Sequence, residues 1–208
     1  MFKAKSIMEH LKQMNPYIAF GFILFFAGMV IGGTNPVFHA FLNNQLVGLS
    51  GISDVAKNSD NPTLTLSVII FLNNAIKSVF VMYLGAFFGI VPLLFIVVNG
   101  MVIGYLLQNI AAQEGAAFMA SVVLKGILPH GIIEIPAIII ACAYGMKFGT
   151  LGFRGLGSLL FSRSKLPVIG KDYESFVART VPMIVLLPLA MLVASIIEST
   201  LSVWLLSL

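Results

Sequence analysis

The chain has 208 residues, 59% of them hydrophobic and 10% charged, with twelve Lys and Arg against eight Asp and Glu. Soluble domains carry roughly 25% charged side chains, so most of this surface, with a mean hydropathy of +1.01, must face lipid. The lone Cys142 excludes a disulfide-stapled secreted domain, and no Lys/Arg cluster is long enough to track nucleic-acid phosphates despite the net charge of +4.

A membrane-spanning helix needs about 20 mostly apolar residues. The first such run, Tyr17–Gly33, is entered through Pro16, which suits a helix start. Polar or amphipathic residues precede it and no small-x-small exit comes before Gly32, so no cleavable signal peptide is expected. In the connection 34–63, Phe38, Phe41, Leu42, Leu46 and Leu49 recur at helical spacing around Asn43, Asn44 and Gln45. That pattern predicts a short amphipathic helix on the outer membrane surface. The second span, Leu64–Val91, is interrupted by Asn73, Asn74 and Lys77, and the third, Pro92–Ile110, by Asn99 and Gln108. The fourth, Ala117–Met146, is about ten residues longer than one crossing needs and holds Lys125, Pro129, His130, Glu134 and Pro136. The connection 147–179 sets Leu151, Leu156, Leu159, Leu160 and Phe161 among Arg154, Arg163 and Lys165. Its glycines from Gly149 to Gly157 predict an irregular, surface-hugging segment that touches anionic lipid or docks a partner. The fifth span, Val181–Leu208, contains Pro182, Pro188 and Glu198.

The basic residues orient these spans. Lys3, Lys5 and Lys12 lie before the first span, and Lys147, Arg154, Arg163, Lys165, Lys171 and Arg179 lie in 147–179. Five crossings put both groups on the cytoplasmic side, leaving Lys57 outside and Lys77 and Lys125 within spans. The expected fold is therefore an all-α, single-domain, multi-pass cell-membrane protein with a cytoplasmic N-terminus and an outer C-terminus.

Glycines four apart let helices approach closely in lipid. Gly28/Gly32, Gly85/Gly89, Gly100/Gly104 and Gly145/Gly149 have this spacing, which points to tight packing within the bundle or, for one pair, to a homo-oligomer. Charged groups inside the bilayer must pair, neutralise or line water. That condition applies to Lys77, His130, Glu134 and Glu198, with Asn73, Asn74 and Asn99 as natural hydrogen-bond partners. His130 and Glu134 share a helix face. Pro129 and Pro136 free the carbonyls of Lys125 and Ile132, which predicts a broken fourth span, with Ala117–Leu128 as a half-helix or re-entrant piece. The pair can serve as a structural clasp or line an ion pathway. One His and one Glu fall short of the H-E-x-x-H pattern of a metal-dependent hydrolase, so no metal, cofactor or catalytic residue is expected.

These ordered pieces carry a resemblance. The run Gly28-Met29-Val30-Ile31-Gly32, then Phe71-Leu72-Asn73-Asn74 with Gly85 to Pro92, then Asn99-Gly100 with Gly104 resemble the stage II sporulation protein M family. So do Pro129-His130-Gly131-Ile132-Ile133-Glu134-Ile135-Pro136, the most specific piece, and Ala194 to Glu198; together they cover roughly residues 16–205. The resemblance implies a non-enzymatic multi-pass protein, similar to a scaffold that anchors membrane or cell-envelope partners. The mid-span polar groups point instead to a transporter or channel-like protein.

Overall fold

Where the chain is apolar for long enough, it folds as helix. The computed structural model describes residues 3–208, except for the side chains of Leu49, Ser50, Ile52 and Ser53, so Leu49 of the expected surface helix lies outside the described side chains. The helices are α1 (Ala4–Thr34), α2 (His39–Lys57), α3 (Pro62–Leu84), α4 (Ile90–Glu114), α5 (Ala116–Ser121), α6 (Leu128–Phe161), α7 (Leu166–Ile197) and α8 (Val203–Leu206). Five helical stretches are long and apolar enough to cross a membrane: α1, α3, α4, the continuous run Ala116–Phe161 and the run Arg163–Leu206.

Glycine decides how these stretches pack. On α1, Cβ atoms built at Gly28 and Gly32 would meet the backbone of Val97 and Met101, and at Gly100 and Gly104 on α4 they would meet that of Phe25 and Met29. The matching order along both chains makes α1 and α4 parallel neighbours in backbone contact. Gly85 and Gly89 lie in the same way against Gly145 and Gly149 of α6. All four pairs thus pack inside one chain, in two parallel interfaces. The turn between α3 and α4 ends on Gly89 with φ +72°, a conformation that costs a residue with a Cβ on the order of 1 kcal/mol. Phe88 beside it also has positive φ, and its ring rests on Phe153, with centroids 4.7 Å apart. The core runs along α6, where Ile139, Ala141, Cys142, Ala143 and Tyr144 have no exposed surface.

Three expectations are revised. Helix α1 begins at Ala4 and takes Pro16 inside it, because Ile7, Leu11 and Met14 already pack on the core. The segment 147–179 is a helical hairpin turning near Ser162, with Arg154 facing Asp172 at 3.7 Å. A glycine in a helix costs about 1 kcal/mol relative to alanine. Burial of Phe148, Leu151 and Phe176 offsets that cost, and Gly149 is where α6 meets the α3–α4 turn. Finally, 116–161 is helical throughout, with Pro136 inside α6; no half-helix turns back. The expected outer amphipathic segment is helical as α2, and its Leu42 is fully buried against Met101 and Tyr105.

Candidate functional site

The distortion expected at the prolines takes the form of a wide turn. Pro129 has no N–H to give the carbonyl of Lys125, and the residues just before it, Val122–Ile127, wind as a π-helix. There the Leu128 N–H reaches the Val123 carbonyl five residues back. A second π-turn, Glu198–Ser202, follows α7, and the two wide turns pack against each other. Such turns re-aim side chains and are frequent at functional sites.

The polar residues lie in the second wide turn and on the first turns of α6. Ligand atoms of His130, Glu134 and Glu198 all fall within 4.8 Å of one another, and each residue is half-buried. Asn74 of α3 donates its amide N–H to Glu134 Oε1 at 2.8 Å, and Asn73 donates to Asn74 Oδ1 at 3.1 Å. His130 Nδ1 stands 3.3 Å from the hydroxyl of Ser202, which is buried. Asn74 lies about 18 Å from the Pro62 end of α3 and about 15 Å from its Leu84 end, at 1.5 Å per residue. The cluster is therefore near the middle of that span. Glu198, expected near the outer face, belongs to the same layer.

Two expected members are absent from it. Asn99 donates instead to the carbonyl of Phe95 in its own helix, at 2.7 Å. Lys77 is exposed, because the buried face of α3 runs through Ala75, Ser78, Val81 and Met82 and turns Lys77 outward. It stands about 10 Å from the Leu84 end of α3, close enough for its long stem to snorkel. Ser202 was missed, although its spacing of four from Glu198 repeats that of His130 and Glu134. Among the described residues the ion pairs are Lys57–Asp54 and Arg154–Asp172, so no cationic side chain pairs with Glu134 or Glu198.

Comparison with known proteins decides the family. The model of stage II sporulation protein M matches residues 17–203. The chain belongs to that family. It is also 26% identical over 160 residues to an uncharacterized protein of Methanocaldococcus jannaschii, covering 76% of this chain and 86% of the relative. No solved structure matches significantly. Family membership and the five apolar stretches make this a multi-pass membrane protein.

Proposed function

We propose that this protein handles a cation within the bilayer, as a transporter or channel-like protein, through His130, Glu134 and Glu198. The observation that carries the reading is the meeting of two carboxylates and an imidazole with no Lys or Arg paired to either carboxylate. Two ionised carboxylates this close in a low-dielectric layer repel, and isolating them from water is costly. A divalent cation held by both carboxylates and a neutral imidazole would make the site electrically neutral. Tetrahedral metal–ligand bonds of 2.0–2.2 Å set ligand atoms about 3.4 Å apart, and atoms already within 4.8 Å of one another would have to close by about 1.4 Å at most. Asn74 and Ser202 would orient Glu134 and His130 from the second layer. The reading is non-enzymatic and takes the basic end of the bundle as cytoplasmic.

The test is uptake of Mn2+, Co2+ or Zn2+, and of protons, into proteoliposomes holding the purified protein. Glu134→Gln keeps the acceptor for Asn74 and removes the charge, so flux should fall at least tenfold while the fold survives. Equal flux in the wild type, in Glu134→Gln and in protein-free vesicles would refute transport.

A second reading, a scaffold for membrane or cell-envelope partners, is supported by the hairpin. Its Leu160, Phe161 and Val168 are 66%, 86% and 61% exposed beyond the α3–α4 turn. Crosslinking from native membranes should then recover a partner lost on Phe161→Ser but retained on His130→Ala. Recovery of no partner would overturn it.

A further inference from the structure

The basic end of the bundle holds a second polar site, far along α6 from the intramembrane cluster. A cleft of about 290 Å³ opens between α1, α6 and α7. That volume lies at the small end of the range for ligand pockets, suiting a headgroup or small anion. Lys147, Arg154, Arg179 and Asp172 line it, giving a lining charge of +2. Asp172 faces Arg154 at 3.7 Å. Among the described residues Arg179 is engaged only by the neutral Gln13, Nη1 to Oε1 at 3.0 Å, which leaves most of its five N–H donors free there. Lys147 rests over the ring of Tyr17, 5.3 Å from its centroid, and among the described residues it has no carboxylate partner.

His10 provides the independent observation. It lines the cleft at 7% exposure, wedged against the rings of Tyr144 and Phe176 at 5.3 and 5.9 Å; among the described residues its buried ring nitrogens make no hydrogen bond of full geometry, and the side chain of Gln13 is the polar group beside them. A buried polar group without a partner costs on the order of 1–3 kcal/mol, and ligands commonly supply the missing partner. Apolar packing alone would be met by phenylalanine at this position. Histidine adds nothing to the core except those nitrogens.

We infer that this cleft binds a phosphate group, held by Arg179, Lys147 and His10. A phosphate ester carries about −1.5 to −2 charges at neutral pH, which matches the lining. The guanidinium fork suits bidentate contact with its oxygens. The group can come from an anionic lipid headgroup or from a soluble phosphate. The shared chemistry is the same, and the two probes below separate the sources.

The test uses the full chain in detergent at fixed ionic strength, titrated with inorganic phosphate and separately with dihexanoyl phosphatidate. Arg179→Gln and His10→Phe should each weaken binding tenfold or more. Arg163→Gln removes an equal charge from the hairpin tip, outside the cleft, and should change affinity less than twofold. His10→Phe keeps the ring packing, so its melting temperature should hold; if it does not fold, Lys147→Gln at the rim serves in its place. Binding of inorganic phosphate identifies a soluble ligand, and binding of phosphatidate alone identifies a lipid. No binding of either probe would overturn the inference. So would equal losses in Arg163→Gln and Arg179→Gln, because general surface charge would then explain the affinity.

Discussion

Replacing Gly104 by alanine tests the backbone seam between α1 and α4. The added methyl would stand 2.9 Å from the Cα of Met29 and closer still to its carbonyl. Carbon atoms rest at about 3.5–4.0 Å and the nearer carbonyl oxygen sets the limit, so α1 and α4 would have to separate by more than about 1 Å here. Both obstructing atoms are backbone, and no side chain can swing aside. A gap of 0.5–1 Å forfeits about a quarter to a half of each dispersion contact along the seam, and overpacking typically costs about 1–3 kcal/mol. Alanine's better helix propensity returns at most about 1 kcal/mol, so a net loss of up to about 2 kcal/mol is expected, the upper end applying because the clash is backbone on backbone. Gly157 is the control, because a Cβ there meets nothing within 4 Å. Gly157→Ala should stabilise by about 0.5–1 kcal/mol. Thermal unfolding in detergent, with size-exclusion profiles alongside, reads both. If Gly104→Ala melted like the wild type but lost an oligomer, the glycines would be serving contacts between copies, and the intramolecular seam would be refuted.

Other substitutions probe the polar contacts. Asn74→Leu leaves Glu134 without its donor and should cost about 1–3 kcal/mol; unfolding of a double-mutant cycle with Glu134→Leu should show coupling of at least about 0.5 kcal/mol. Thr180 gives its only hydroxyl proton to the Val177 carbonyl, so Tyr83 is the donor in their 2.9 Å bond. Tyr83→Phe should therefore lose about 1 kcal/mol in the same melt. Lys77→Leu should leave the melting temperature unchanged or raised, since the lysine is exposed on a spanning helix without an ion-pair partner. A drop of more than about 1 kcal/mol would reveal a buried partner.

The spans were legible because each depends on one local property, an apolar run long enough for a bilayer, and lipid enforces that property strictly. Their ends were less so. Gly149, Gly152, Gly155 and Gly157 argue locally against a helix, yet α6 passes through all four. The gain lies in what Phe148 and Leu151 bury against α7 and in the approach of Gly149 to Gly89, contacts to residues distant in sequence. Pro16 likewise sits inside α1 because Ile7, Leu11 and Met14 hold the preceding turns on the core.

The site divided along the same line. His130 and Glu134 could be paired from spacing alone, since a helix brings residues four apart together. Lys77 could not be excluded by spacing, because only the burial of Ala75 and Ser78 shows which way α3 is turned. Glu198 could not be placed because its approach depends on α7 lying beside α6 and on two wide turns meeting. Its arrival changes the chemistry. One imidazole and one carboxylate make a clasp that a single proton can neutralise. An added carboxylate, with no lysine or arginine paired to either acid, leaves the protein short of positive charge in the layer where charge is most costly. In the proposed reading that shortfall is met from outside the chain, by protons or by a metal ion. The flux measurement on Glu134→Gln therefore bears on the central property of the fold.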